Sequence, residues 1–246
     1  MTRIPTQTHG EGRASAPRRP FVLLSCAVSI DGYIDDTTPQ RLLLSNDADF
    51  ERVDAERAAC DAILVGSSTI RHDNPRLQVR SEAARRERQD RGLPPTPLRV
   101  TVTGSGDLDA GARFFDPVDG AGPVVYASTP ARHRAQERVG HVATVVDAGD
   151  PLDLHLMLAD LTGRGVRRLM VEGGSAMHTQ FLGAGLADEL QLVVAPVFVG
   201  DSGAPRFVGD GEFPFTSGHR AQLAAATPIG DVVLLRYTLS DRTSPV

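Results

Sequence analysis

Apolar residues in this chain cluster into short, nearly continuous runs at 21–30, 61–65, 98–103, 123–126, 141–146 and 169–171. Runs of that kind read as strands buried on both faces. Between them, apolar residues recur at helical spacing. Asn46 reads as an N-cap, with Asp47 and Asp49 in a first turn and Phe50, Val53 and Arg57 following until Cys60. Residues 130–139 read as a second helix. Asp150-Pro151 reads as a cap ahead of Leu154, Met157, Leu158 and Leu161, with Gly163 at C′. The charged run 81–93 reads as a solvated surface helix, and residues 42–44 as a short strand. Pro196 interrupts the alternation over 188–199, which suggests a bulge or an edge position. A Gly- and Pro-rich loop at 200–219 precedes two runs around Pro228-Ile229-Gly230, a pattern that predicts a terminal antiparallel hairpin. Strand and helix alternate through most of the chain, which predicts an α/β fold with a mostly parallel central sheet flanked by helices. Residues 1–19 are polar and aperiodic and read as a flexible tail. No composition break divides residues 20–246, which read as one domain.

The strand tips carry the candidate chemistry. They read Asp31-Gly32, Gly66-Ser67-Ser68-Thr69, Thr103-Gly104-Ser105 and Glu172-Gly173-Gly174. Ligands of open α/β sheets bind outside the carboxyl ends of strands, and four such tips suit a long phosphorylated ligand such as a dinucleotide. The stretch 168–182 organises the rest. An apolar strand ends in Glu172, two glycines turn the chain, and Ser175, Met177, Phe181 and Leu182 begin a helix. Free N–H groups at such a helix start bind anions. Arg41, Arg57, Arg76 and Arg80 lie near these loops. One or two of them suit a substrate phosphate, while Arg76 reads as a surface residue. His178 reads as an exposed helical histidine. There is no G-x-G-x-x-G, P-loop or G-x-S-x-G sequence.

Composition narrows the partners. The 246 residues carry a net charge of −5, aromatics make up 5 %, and Trp is absent, so neither a basic surface nor a stacking platform for nucleic acid is expected. An apolar content of 41 % is enough for a core. No apolar run is long enough to span a membrane, and no secretory h-region is evident, so no membrane partner is expected. Cys26 and Cys60 sit in apolar segments without a pairing pattern and read as reduced residues of a cytoplasmic protein. The scattered histidines form no metal-ligand motif, so no metal is expected.

The motif series SIDGYI, RAACDAILVGSSTIRHDNPRLQVR, PLRVTV, LMVEGG and LADELQLVVAPVFVG, in this order, resembles the reductase of riboflavin biosynthesis over about residues 20–240. That resemblance implies a dihydrofolate-reductase-like fold and makes 20–246 a single reductase domain. It implies NADPH-dependent reduction of a ribosylamino-pyrimidine 5′-phosphate to the ribitylamino product. The substrate is either 2,5-diamino-6-ribosylamino-4(3H)-pyrimidinone 5′-phosphate or 5-amino-6-(5-phosphoribosylamino)uracil. Hydride passes from the nicotinamide to ribose C1′ in its ring-opened imine form, and the protein supplies position and charge.

Carried over by position, the resemblance implies that Ala27, Leu43, Ser45, Thr69 and Asp73 line the nicotinamide, and that Gly104 and Ser105 lie near the adenosine 2′-phosphate. Gly173, Gly174, Ser175, Ala176 and Met177, with the helix on to Gln180, would hold the pyrophosphate. Arg41, Arg57, Leu77, Arg80 and Glu172 would hold the substrate, Glu172 accepting from the pyrimidine amino groups. It also implies a cis Gly173–Gly174 peptide. Many bacterial members have Lys at the position of Ser25 and Trp at that of Leu43. This chain looks more like archaeal and fungal members acting before deamination, and it contains no deaminase zinc motif. Without the lysine, Asp31 or a bound water is left to deliver the proton. Alternatives are reduction of a related heterocycle in secondary metabolism or of a dihydrofolate-type substrate, and a nucleotide-binding regulator without catalysis. Residues 190–199 and the hairpin suggest pairing across a two-fold axis in a homodimer.

Overall fold

The computed structural model describes residues 19–38, 40–118 and 122–245; all but Arg19 of the expected tail lies outside them. Among the described residues a single sheet has nine strands: β1 (Phe21–Ser29), β2 (Ala62–Gly66), β3 (Leu98–Thr103), β4 (Val124–Ala127), β5 (Thr144–Asp147), β6 (Arg168–Gly173), β7 (Glu189–Ala195), β8 (Gln222–Ile229) and β9 (Val232–Thr238). Their spatial order is β5-β4-β3-β2-β6-β1-β7-β9-β8. Every pair from β5 to β7 is parallel, and β9 runs antiparallel to both β7 and β8. The mostly parallel sheet with its C-terminal antiparallel hairpin is the arrangement the sequence predicts. Six helices connect and cover it: α1 (Asp47–Ala58), α2 (Ser67–Asp73), α3 (Glu82–Asp90), α4 (Thr129–Val139), α5 (Leu154–Gly163) and α6 (Ser175–Gly183).

Alternate residues of the central strands enter two cores. Val22, Leu24, Ala62, Leu64, Leu169 and Val171 pack beneath Met157, Leu161 and Phe181 of α5 and α6. Leu23, Ile63, Val65 and Met170 pack on the other face with Ile70 of α2 and Ala131, Ala135 and Val139 of α4. This two-faced burial explains why the strands read as continuous apolar runs. Each fully buried Leu, Ile or Phe stabilises the fold by roughly 1.5–3 kcal/mol relative to exposure.

Local chemistry sets the helix boundaries. Asn46 caps α1 by accepting the Asp49 N–H, as expected, but the helix ends at Ala58, two residues before Cys60. Asp150-Pro151 is not the cap of α5. Its peptide is cis, and Asp153 caps the helix instead by accepting the His155 N–H. The left-handed glycine after α5 is Gly165, at φ +85°, not Gly163. Residues 42–44 form no strand, because Leu44 packs on the β7–β9 core while Leu42 N–H bonds to the Asp35 carboxylate. β7 stops at Ala195, so Pro196 follows the strand instead of interrupting it.

Two long-range fastenings shape the periphery. The buried Asp188 carboxylate accepts from Arg19, Val22 N–H, Ser240 and Arg242, tying both ends of the described chain to the start of β7. A strap at 199–209 joins the tip of β1 to α6. Ile34 N–H bonds to Pro205 C=O, Phe207 N–H to Gly32 C=O and Gly209 N–H to Thr179 Oγ1.

Candidate active site

β3, β2, β6 and β1 are neighbours and run parallel, so the four tips singled out in the sequence emerge side by side on one edge. Two of the turns touch. A Cβ placed on Gly174 would stand 3.1 Å from Thr69 Oγ1 and 3.9 Å from Ser68 Oγ, so the turn after β6 lies against the turn after β2. Gly174 has φ +81°, a conformation glycine adopts without strain. That angle reverses the chain by itself, and the Gly173–Gly174 peptide is not cis, contrary to the family expectation.

Gly174 is also the N-cap of α6 and offers no side chain to its first turn. The leading N–H groups of a helix have no acceptor within it. Ser175 and Ala176 thus present donors to the rim, at the positive end of the helix dipole. Gly104 and Ser105 are exposed, and a Cβ on Gly104 would meet nothing within 4 Å. Such an open backbone fits the approach of a phosphate. Met177, expected at the pyrophosphate, is not open to it: its side chain is buried with Cγ against Gly66, and its N–H donates to Gly174 C=O at 3.0 Å.

β6 carries a bulge at its tip. Val171 pairs with Leu64 and Gly173 with Val65, which leaves Glu172 as an extra residue. Bulges re-aim side chains beside functional sites. The Glu172 carboxylate accepts two hydrogen bonds from Arg57, from Nε at 2.6 Å and Nη2 at 2.5 Å, with both side chains largely buried. Burial works against the Arg57 charge, but Glu172, by charge and hydrogen bond, together with the Asp54 charge, offsets it and holds the guanidinium above its usual range. Two residues expected to face the substrate separately therefore form one forked pair.

The loop after α2 is conformationally strained. Leu77 has φ +49°, unusual for a residue with a branched side chain, and is buried. Its side chain is part of the core, so only its backbone is available to a substrate. Such strain, of order 1–3 kcal/mol, concentrates at functional sites. Arg80 is exposed, with its guanidinium 5.6 Å from the Phe50 ring centre. Arg76 is a surface residue paired with Asp116, as expected. Asp73 is exposed; partial desolvation raises its carboxyl above the usual range, and the nearby Arg41 charge opposes that. Leu43 is 71 % exposed, an apolar side chain left open to solvent. Ala27 and Ser45 are half-buried.

Asp31 is bound up in the fold. It accepts from Ser29 Oγ at 2.6 Å and from the Val199 and Gly200 N–H groups. The Ser29 hydroxyl foremost, then those amides, hold its carboxyl below the usual range despite some desolvation. His178 is not exposed. It is fully buried, its ring 5.1 Å from that of Phe207 on the strap. Sequence reasoning passed over the strap, where Ser175 Oγ donates to Arg206 C=O and Arg206 bonds to Tyr33 Oη at 2.8 Å. Its length was the available signal, since loops beyond about 12–15 residues are usually functional or disordered.

Four strand-end turns gathered on one edge of a parallel sheet, a glycine-opened helix start and a forked carboxylate–guanidinium pair are the arrangement of an α/β enzyme site. The chain belongs to the RibD C-terminal domain family, whose model matches residues 20–235. It is 38 % identical over 195 residues to the 2,5-diamino-6-ribosylamino-4(3H)-pyrimidinone 5′-phosphate reductase of Archaeoglobus fulgidus, covering 79 % of this chain and 88 % of that one. It is 34 % identical over 223 residues to the protein of the same name from Methanothermobacter thermautotrophicus, covering 90 % of this chain and 99 % of that one. In fold it is similar to a pyrimidine reductase-like protein from Corynebacterium diphtheriae, with a TM-score of 0.75 at 23 % identity over 89 % of this chain and 91 % of that one. The chain is thus an oxidoreductase of the riboflavin-biosynthesis reductase family.

Proposed function

We propose that this chain reduces 2,5-diamino-6-ribosylamino-4(3H)-pyrimidinone 5′-phosphate to its ribitylamino product, using NADPH, as a single reductase domain over residues 20–246. The observation that carries this reading is the match to relatives of that name along nearly their whole length. The rim fits the cofactor: its diphosphate would meet the N–H groups of Gly174, Ser175 and Ala176 beside Gly173, and its 2′-phosphate the open turn at Gly104 and Ser105. Ala27, Leu43, Ser45, Thr69 and Asp73 would line the nicotinamide. When bound, NADPH supplies a hydride to C1′ of the ring-opened imine.

The residues of the chain hold and orient the substrate. Each Glu172 oxygen keeps a lone pair beside its bond to Arg57 and so can accept from the pyrimidine amino groups. That acceptor favours the 2-amino compound over the uracil, which presents a carbonyl there. Arg57 fixes the carboxylate, Arg80 and Arg41 take the 5′-phosphate, and the Leu77 backbone closes the pocket wall. Asp31, ionised and saturated with donors, fixes the 199–200 loop, and a bound water delivers the proton to the imine nitrogen.

The reading also takes the protein as cytoplasmic and dimeric. Among the described residues no helix is long and apolar enough to cross a membrane. Leu192, Leu235 and Ala226 align across β7, β9 and β8, as do Val194, Val233 and Pro228, and none of the six is buried. This apolar face, or the β8 edge, would meet a second copy; β7 itself has both backbone edges taken.

NADPH consumption followed by absorbance, with the pyrimidinone 5′-phosphate and its uracil counterpart, tests the activity. Faster turnover of the former is expected, and no consumption with either would refute the reading. Arg80→Ala is expected to raise KM for the phosphorylated substrate on the order of ten- to hundredfold and to leave that for its dephosphorylated form unchanged.

A further inference from the structure

We infer that Asp54 is a positioning residue for recognition of the substrate phosphate, acting through the backbone of Arg80; the inference rests on the substrate role proposed above for Arg80. The carboxylate of Asp54 is buried on α1 and spans two consecutive amides, taking Arg80 N–H on Oδ1 at 2.6 Å and Ser81 N–H on Oδ2 at 2.8 Å. Phe50 and Arg57 stand four residues before and three after it, so the three side chains share one helix face. All three engage the loop that carries Leu77 and Arg80. The Phe50 ring lies under the Arg80 guanidinium, Asp54 grips the Arg80 amide, and Arg57 Nη1 reaches Gln78 C=O at 3.4 Å.

Leu77 and Val79 anchor the first part of the loop in the core, and Val79 N–H bonds to Thr96 Oγ1, but the Arg80 and Ser81 amides that follow are held by Asp54. Leu77 is in the left-handed region, and α3 begins only after the Ser81 N-cap. A carboxylate sets a separate acceptor oxygen against each of two adjacent N–H groups. Asparagine offers one oxygen and turns an NH2 toward the second amide, donor against donor. Arg80 is exposed and Arg57 is held by Glu172, so the α1 face sets the spacing between the cation expected at the phosphate and the pair expected at the pyrimidine. A positioning error of an ångström at such a fork costs affinity for the group it holds.

The test is Asp54→Asn, measured with the pyrimidinone 5′-phosphate and its dephosphorylated riboside, alongside hydrogen exchange at the Arg80 and Ser81 amides. KM for the phosphorylated compound is expected to rise about tenfold with kcat within about twofold, and KM for the riboside to stay unchanged. Protection at the two amides is expected to fall at least about tenfold, with the α1 interior unaffected. Asp54→Glu, which keeps the charge but displaces it by one methylene, should move both readouts in the same direction and serves if the asparagine variant does not fold. Equal losses on both compounds, or unchanged amide protection, would overturn the positioning role. A wild-type protein that turns over neither compound would instead remove the proposed reaction.

Discussion

Among the described residues neither ring nitrogen of His178 has a hydrogen-bond partner, and the residue is fully buried beneath the strap. Desolvation pushes its imidazole down from 6.5 to about 4. The unfolded chain therefore binds a proton over that interval while the folded chain does not. The stability involved is fully present above pH 6.5 and is lost as pH falls toward 4, by about 3 kcal/mol at 1.36 kcal/mol per pKa unit. Urea unfolding between pH 7 and 4 should follow that fall, and His178→Leu should flatten it. An unchanged slope in the variant would assign the acid sensitivity elsewhere. Sequence alone could not reveal this burial, because the covering Phe207 comes from a distant loop. Asp54 was illegible for a similar reason: a carboxylate in an amphipathic helix reads as solvated unless its spacing from Phe50 and Arg57 is set against the loop that follows.

At the scale of elements, the apolar runs announced β1, β2, β3, β4 and β6 well, because burial on both faces leaves little room for polar residues. β5 was placed less well: its residues are all exposed or half-buried, and the strand starts three residues later than the expected run. The hairpin was legible from its Pro-Ile-Gly centre. Fastenings between remote segments were not, since a single aspartate carries no pattern. Asp188 shows how much one such residue holds. Its side chain is fully buried, with Arg19 and Arg242 directed at it. Asp188→Ala leaves two guanidinium groups and the Val22 amide short of an acceptor, and is expected to lower stability by roughly 3 kcal/mol. Denaturant midpoints with an unchanged m-value would confirm the loss, and a change below about 1 kcal/mol would show the fastening to be dispensable.

For the whole molecule, the gathering of the tips was legible: four strand ends on a sheet predicted to be parallel emerge on one edge. The strand order was not, because β6 inserts between β1 and β2 from far along the chain. Assembly belongs to this scale too. Val233→Lys puts a charge on the apolar hairpin face and should shift the mass seen by light scattering at micromolar concentration from dimer to monomer. A monomeric wild-type protein would refute the proposed assembly.

The out-of-step residue at the end of β6 separates two kinds of change. Exchanging Glu172 for another amino acid rewrites what the pocket can grip while Val171 and Gly173 keep their partners, and the following helix stays where it is. Removing the position would shorten the strand by one notch, rotate the glycine pair and carry the α6 start off the rim. Substitution there would therefore leave the proposed cofactor site standing and change only the proposed substrate contact, whereas a one-residue deletion would undo both.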